Sequence, residues 1–355
     1  MSKSKQIAEW KEKKFGRVIT EEELIKRTHP AWPYMPYSDR GRYVSPEEID
    51  RVLEGSIELH AHGSPAGWRN EGRANFFETA VSCSEAKMRA VVFKDQDCPT
   101  CSMAGAVQKG LNMLAEEKAK NGEEFTPIQV YGGVTLDYSI GGMNLHAVEK
   151  ALGYGTCKEV WLPCFDSAHL QEVLGDETKG IRVSDMSGTL TKEMIGLLDI
   201  LADYNNNSKG DQCCLATCHV SNEEKYDISK YVKDRGMKVP IVHDHVTQEL
   251  TLTTVEEALE LIDQGTYVEI CSNSVVPWNN MASWIVSFDY CVDLVKTLIK
   301  ERGPEHIVLI TDSGVPYFYE VDALRSLIKV LMQKGVSEAD LNVMCKEAPA
   351  ALIGL

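Results

Sequence analysis

The segment Ser56-Ile57-Glu58-Leu59-His60-Ala61-His62 combines the two features that decide the fold, a short apolar strand and polar side chains at its carboxyl end. Seven further runs rich in Val and Ile follow it, and stretches with helical spacing separate most of them. The predicted strands cover residues 56–60, 90–94, 128–136, 159–163, 214–219, 239–245, 267–271 and 306–311. Strands that alternate with helices pair in parallel.

Eight such units within about 300 residues predict an α/β protein, a (β/α)8 TIM barrel with an N-terminal extension. An open, doubly wound sheet is the alternative. It has little support, because the sequence has no GxGxxG motif after a strand and no P-loop. We assign the barrel to residues 46–355.

Residues 1–45 read as an N-terminal arm. A charged, weakly helical segment leads into His29-Pro30-Ala31-Trp32-Pro33-Tyr34-Met35-Pro36-Tyr37, where the prolines prevent a regular helix. The aromatic side chains between them need a surface on which to pack. The arm is therefore expected to lie across its own domain or to embrace a second subunit, and we expect a homo-oligomer.

The composition of the 355-residue chain is that of a globular protein, with 43% hydrophobic and 25% charged residues. A formal net charge of −16 disfavours nucleic acid and anionic membranes as partners. No apolar run is long enough for a transmembrane helix, and the charged start MSKSKQIAEWKEKK does not resemble a signal peptide. We expect a cytoplasmic protein whose eleven cysteines are mostly thiols.

Histidines mark the carboxyl ends of three predicted strands. The first strand ends at His60 and His62, the fifth at His219, and the sixth at His243 and His245. Residues two apart on a strand face the same side, so each HxH pair is expected to point one way.

Asp312 follows the last strand, in Val308-Leu309-Ile310-Thr311-Asp312. The carboxyl ends of barrel strands meet at one rim, where these side chains converge. Imidazoles and a carboxylate suit a divalent first-row metal, most readily Zn²⁺, with Mn²⁺ or Fe²⁺ as alternatives. A metal-bound hydroxide would be the nucleophile, and Asp312 would be the acid/base that takes and returns its proton.

In these residues the sequence resembles an atypical member of the amidohydrolase superfamily of metal-dependent barrel hydrolases. The resemblance covers residues of about 50–350 in topology and rests on Glu58–His62, His219, His245 and Asp312. It implies that His60, His62 and Asp312 hold one ion, and that His219 and His245 hold a second ion or assist the first. The implied activity is hydrolysis of a small-molecule amide, lactam, ester or lactone. A metal-dependent decarboxylase, lyase or isomerase is the alternative.

The fourth strand departs from that pattern, because it has no Lys or Glu at its end to bridge two ions. Asp166 is one replacement, and Lys94 at the end of the second strand is another if it is carboxylated. Lys94 otherwise anchors an anionic substrate by its ammonium group, or forms a salt bridge with Asp95, Asp97 or another acid at the rim. The number of ions, one or two, stays open.

Three further residues are predicted to contact the small-molecule substrate. Arg69 follows the first HxH and would pair with a carboxylate, and Trp278 after the seventh strand would stack on a ring. His243 is the second histidine of the sixth strand, and His245 is favoured as the ligand because it lies nearer the rim. A redox role for Cys98 and Cys101 has little support, since they lack a thioredoxin-like context.

Overall fold

The computed structural model describes residues 12, 41–67, 70–176, 178–208, 211–275 and 286–355. Within them the chain forms an eight-stranded sheet in which each strand pairs in parallel with the next. The strands are β1 (Ile57–Ala61), β2 (Ala90–Phe93), β3 (Gln129–Thr135), β4 (Cys157–Trp161), β5 (Cys214–Ala216), β6 (Ile241–His243), β7 (Tyr267–Cys271) and β8 (Ile307–Ile310). This order confirms the predicted (β/α)8 barrel, and the open sheet is wrong.

At least one helix follows every strand and covers the outside of the barrel. The described helices are α1 (Pro46–Leu53), α2 (Phe76–Glu85), α3 (Cys101–Lys120), α4 (Leu145–Leu152), α5 (Ala168–Val173), α6 (Lys192–Asn207), α7 (Asn222–Arg235), α8 (Val255–Asp263), α9 (Phe288–Arg302), α10 (Glu320–Gln333), α11 (Glu338–Asn342) and α12 (Ala348–Ile353). A π-helical turn, Val343–Glu347, joins the last two. None of the described helices has both the length and the apolar composition needed to cross a membrane.

Local sequence signals set the first helix of the barrel. The Ser45 side chain accepts a hydrogen bond from Glu48 N, and the Glu48 side chain accepts one from Ser45 N. This reciprocal cap satisfies backbone donors that the first turn leaves unpaired. The predicted arm lies outside the described residues except for residue 12 and residues 41–45, so it stays a prediction.

The barrel closes between β1 and β8. Ala61 and Ser313 form a single parallel bridge. The buried Glu58 side chain reinforces it, because its Oε1 accepts hydrogen bonds from the backbone N of His60 and Thr311, at 2.9 and 3.2 Å. Burial raises the pKa of Glu58 to about 7. The acidic residue that precedes the first HxH is therefore a structural tie between the first strand and the last.

The barrel interior is unusually polar. Barrel interiors are mostly packed with Val, Ile and Leu. Here Glu58, Lys94, Glu159 and Glu269 are all almost completely buried on or directly after the strands. Buried ionisable groups are costly unless they are paired or bind a ligand. Their concentration in one barrel identifies its interior as the place to look for a functional site.

Candidate metal centre

Two imidazoles and a carboxylate lie together where β1 and β8 end. His62 Nε2 is 3.0 Å from Asp312 Oδ1, and His60 Nε2 is 3.4 Å from the same oxygen. His62 and Asp312 are 250 positions apart in the sequence. The donor atoms of the three residues lie within 4.8 Å of one another, and all three residues are buried. We call His60, His62 and Asp312 the imidazole–carboxylate cluster.

The imidazole–carboxylate cluster suits a divalent first-row metal. Around a tetrahedral ion with nitrogen and oxygen ligands at about 2.0–2.1 Å, neighbouring ligand atoms lie about 3.4 Å apart. The distance between His60 Nε2 and Asp312 Oδ1 matches that spacing. Burial lowers the pKa of His60 well below its ordinary value, and the charge of Lys94 lowers it further. The imidazole is therefore neutral, which is the form that binds metals.

His245 and Glu269 extend this cluster across the barrel mouth. The His245 ring lies 5.1 Å, centroid to centroid, from the rings of both His60 and His219. Glu269 reaches two imidazoles at once, with Oε2 at 3.2 Å from His60 Nδ1 and Oε1 at 3.4 Å from His245 Nδ1. A carboxylate behind a histidine fixes the ring orientation and the tautomer. Glu269 is thus placed to orient the His60 ring, and its Oε1 accepts a hydrogen bond from the backbone N of His245 at 3.3 Å.

Glu269 was not among the residues predicted for the site. The available signal was a single carboxylate inside the apolar strand Tyr267–Cys271. Burial raises the pKa of Glu269 well above its ordinary value, and the nearby carboxylates of Asp244 and Asp312 raise it further. A buried carboxyl close to other carboxylates is energetically costly. Groups with pKa values shifted in this way are concentrated at functional sites.

Left-handed backbone turns redirect side chains into the mouth. Cys218, His245 and Asp312 have φ angles of 48°, 60° and 49°, and each lies just beyond the end of its strand. A non-glycine residue in this conformation costs about 1–3 kcal/mol. Backbone strain of this kind is typical of functional sites, and here it occurs after three strands at the same rim of the barrel.

Two cysteines surround His219 on the opposite side of the mouth. Cys164 Sγ lies 3.6 Å from His219 Nδ1, and the donor atoms of Cys164, Cys218 and His219 lie within 4.8 Å of one another. Burial raises the pKa of Cys218 well above its ordinary value, and its contact with Cys164 raises it further. We call these three residues the thiol–imidazole cluster. Sequence reasoning missed both cysteines, although Cys164 and Cys218 each fall at a predicted strand end.

Lys94 lies between the two clusters. Its Nζ is 2.9 Å from His60 Nε2 and donates a hydrogen bond to Cys218 Sγ at 3.1 Å. The ammonium also faces the Trp161 ring, 5.6 Å from the ring centroid. Burial opposes its charge, but the nearby carboxylates of Asp244 and Asp312 favour the ammonium, and the pKa of Lys94 is raised above its ordinary value. The carboxylated ligand requires the neutral amine, which these contacts disfavour. The substrate anchor requires the ammonium and stays a prediction.

The prediction that His243 contacts the substrate is wrong, because its side chain does not reach the mouth of the barrel. Its Nε2 lies 3.0 Å from Ser229 Oγ on α7 and 3.0 Å from Thr266 Oγ1. The side chain therefore faces the helix layer and does not contact substrate in this geometry. The expectation that His243 and His245 face one way is wrong. β6 ends at His243, and the left-handed turn at His245 breaks the alternation.

Asp166 also lies apart from both clusters. Its Oδ2 accepts a hydrogen bond from Tyr138 N at 2.7 Å, so it caps a loop and is not placed to bridge two ions. From the same loop after β4, Cys164 reaches the site instead. Arg69 and Trp278 fall outside the described residues. Their predicted contacts with substrate stay predictions.

A cavity of about 100 Å³, as bounded by the described residues, opens beside the two clusters. Its lining includes His62, Lys94, Gln96, Cys164, Phe165, His219, His245, Gln248, Asn273, Asp312 and Val315. Its polar groups follow the ends of β1, β2 and β4 to β8, and the Phe165 and Val315 side chains supply apolar surface. Members of both clusters therefore line one small cavity.

Comparison with solved structures supports the fold. The probable dipeptidase PvdM from Pseudomonas aeruginosa aligns with a TM-score of 0.56 and 11% identity, over 87% of this chain and 98% of that one. The β-aspartyl dipeptidase from Fervidobacterium islandicum AW-1 aligns with a TM-score of 0.55 and 13% identity, over 85% of this chain and 76% of that one. A 2,6-dihydroxybenzoate decarboxylase bound to 2,6-dihydroxybenzoate aligns with a TM-score of 0.50 and 11% identity, over 85% of this chain and 100% of that one. The predicted resemblance to amidohydrolase-superfamily barrels is thereby confirmed in the fold.

Comparison with protein families gives a match but no activity. No curated protein matches the chain. One family model matches residues 55–269, a range that begins just before β1 and ends within β7. That range includes His60, His62, Lys94, His219 and His245 but not Asp312. The chain therefore belongs to the family described as a family of unknown function, DUF6282.

Proposed function

We propose that this protein is a metal-dependent hydrolase of a small-molecule amide, lactam, ester or lactone. The observation that carries the proposal is the imidazole–carboxylate cluster, whose donor atoms converge beside a cavity at the carboxyl ends of the strands. In barrels of this kind the active site lies at that face. Zinc is the metal that we propose first, with Mn²⁺ or Fe²⁺ as alternatives.

Asp312 is held in a position suited to proton transfer. Its Oδ1 faces His60 and His62, while Asn273 Nδ2 donates to Oδ2 at 2.9 Å and Gln248 Nε2 donates to it at 3.3 Å. The amide donors fix the plane of the carboxylate, which is 8% exposed and lines the cavity. We assign Asp312 the role of general acid/base, which takes a proton from water and returns it to the leaving group.

The residues around the imidazole–carboxylate cluster orient its imidazoles and line the cavity. A bound divalent ion would supply Lewis acidity, which polarises a carbonyl and makes water more acidic. Glu269 holds the His60 ring at Nδ1 and accepts a hydrogen bond from the backbone N of His245. Lys94 is positioned to attract the negative charge of a substrate. The small volume of the cavity supports a small molecule as the partner.

The proposal is tested with native protein purified without chelator. Its metal content is measured first, and hydrolysis is then assayed on N-acyl amino acids, dipeptides, lactams, aryl esters and lactones in isotopically labelled water. We expect a stoichiometric transition metal and transfer of one labelled oxygen into the product. His62→Ala should lose both metal and activity, while the matched variant of an exposed histidine, His146→Ala, should keep them.

Three results would contradict the proposal. Native protein without a transition metal would remove the cofactor. Release of carbon dioxide from an aromatic carboxylic acid, with no labelled oxygen in the product, would show a decarboxylase instead. Full activity of His62→Ala would show that the imidazole–carboxylate cluster is not the site of the reaction.

A further inference from the structure

The thiol–imidazole cluster has donor chemistry that the proposed hydrolysis does not use. Cys164 follows β4, Cys218 and His219 follow β5, and all three residues are buried. These positions lie across the mouth from Asp312. Cysteine is often buried as a small apolar residue. Here the two sulfurs instead meet an imidazole and the Lys94 ammonium beside a cavity.

The distances in this cluster match those of a metal site. Tetrahedral zinc binds sulfur at about 2.3 Å and imidazole nitrogen at about 2.0–2.1 Å, which places the two ligand atoms about 3.6 Å apart. Cys164 Sγ and His219 Nδ1 are separated by 3.6 Å. The three donor atoms lie within 4.8 Å of one another, so one ion can reach all of them. A fourth ligand has room, because the His245 ring is only 5.1 Å from His219.

A second observation shows that Cys218 Sγ lies in polar and not in apolar surroundings. Lys94 extends into the barrel, and its Nζ lies 3.1 Å from Cys218 Sγ and 2.9 Å from His60 Nε2. The left-handed backbone of Cys218, with φ 48°, turns the chain at this point. A strained residue at a strand end is maintained only when the surroundings determine it. The sulfur is thus held beside a polar group and is not packed as an apolar side chain.

We propose that Cys164, Cys218 and His219 bind a second metal ion, and that this ion is zinc because its ligands include two sulfurs. The inference deepens the proposed function, on which it rests, by assigning different ligands to the two sides of one centre. Thiolate ligands select zinc over magnesium, calcium and manganese. The two thiols lose their protons when the ion binds, as metal-bound cysteines do. The centre then holds one ion with imidazole and carboxylate and another with sulfur.

X-ray absorption of the zinc-loaded, fully reduced protein tests this assignment. We expect two zinc ions per chain and a zinc–sulfur shell at about 2.3 Å beside the nitrogen and oxygen shell. Cys164→Ala should lose about one ion and most of the sulfur signal. The matched control is Cys291→Ala, because Cys291 is equally buried on α9 but lies in the outer core. It should keep both ions.

Spectra that contain only nitrogen and oxygen neighbours in the unmutated protein would overturn the inference without any variant. So would a Cys164→Ala protein with unchanged zinc content and unchanged spectrum. The outcome is distinct from that of the hydrolase proposal. A sulfur-bound zinc in a protein that transfers no labelled oxygen would refute hydrolysis alone, whereas labelled product from a protein with no zinc–sulfur shell would refute the thiol site alone.

Discussion

The two sides of the barrel mouth differ in the chemistry of their donor atoms although they share one rim. The side built by β1 and β8 presents imidazole nitrogen and carboxylate oxygen, with Asp312 Oδ1 close to two rings. The side built from the ends of β4 and β5 presents sulfur, with Cys164 Sγ close to His219. The fold sets where ligands meet, and the residues at the strand ends set which ion they prefer.

The difference separates two tasks. A carboxylate can bind a cation and also exchange a proton, so the β1 and β8 side suits acid/base work. Thiolate ligands hold zinc strongly and do not serve as the proton carrier in this arrangement. We therefore expect changes on the β1 and β8 side to affect turnover most, and changes on the β4 and β5 side to affect metal content most.

The largest effect is expected for Asp312→Asn. The amide keeps the hydrogen-bonding shape but cannot accept the proton, so kcat/KM should fall by about 10²–10⁴. The variant should fold and retain substantial metal, measured by circular dichroism and elemental analysis. Asp289→Asn changes an exposed carboxylate on α9 that pairs with Lys334, and it should leave kcat/KM unchanged. Turnover of Asp312→Asn within a few-fold of the unmutated protein would remove Asp312 from the acid/base role.

Lys94 joins the two sides, and Lys94→Met tests what it contributes to both. An ammonium beside His60 and Cys218 repels a divalent ion, so a neutral side chain of similar length should tighten zinc binding by at least about tenfold. Competition with a fluorescent chelator measures the affinity. Lys158→Met is the control, since Lys158 is buried but pairs with Asp211. Weaker binding by Lys94→Met, with native protein heavier by one carbon dioxide, would show a carboxylated ligand instead.

Glu320→Gln tests whether stability on the β1 and β8 side depends on buried carboxyls. Burial raises the pKa of Glu320 from 4.5 to about 8. Between these pH values the folded carboxyl keeps a proton that the unfolded chain releases, so stability falls as pH rises. The slope approaches about 1.4 kcal/mol per pH unit from this one group.

The glutamine has no proton to release, so the variant should lose that slope and be more stable than the unmutated protein above pH 8. Urea unfolding across this pH range measures the difference. Glu123→Gln, at an exposed position, should follow the unmutated protein. Parallel stability curves for Glu320→Gln and the unmutated protein would mean that the buried carboxyl is ionised throughout.

The order of strands could be predicted from sequence because it depends on local pattern. Short Val- and Ile-rich runs separated by helical segments were sufficient to locate all eight strands within a few residues of the observed ones. The convergence of His60, His62 and Asp312 on one rim followed from parallel pairing alone. Neither inference depends on the register of neighbouring strands, that is, on which inward-facing residues lie side by side.

The sulfur ligands and Glu269 could not be predicted in this way. Contact between Cys164 and His219 depends on the register of β4 against β5 and on the left-handed turn at Cys218. A backbone turn of that kind has no reliable sequence signal when the residue is not glycine. The same limit produced the error at β6, where an unbroken strand was assumed through His245.

His243→Gln is the smallest expected effect, and it tests that correction directly. His243 is buried against Ser229 and Thr266, and burial keeps its pKa well below the ordinary value, so the ring is neutral. Glutamine should disturb these hydrogen bonds and cost about 1–2 kcal/mol of stability. Metal content and kcat/KM should not change, because the side chain faces α7. A His243→Gln protein that loses metal while retaining its stability would place His243 among the ligands and would require β6 to continue unbroken into the mouth.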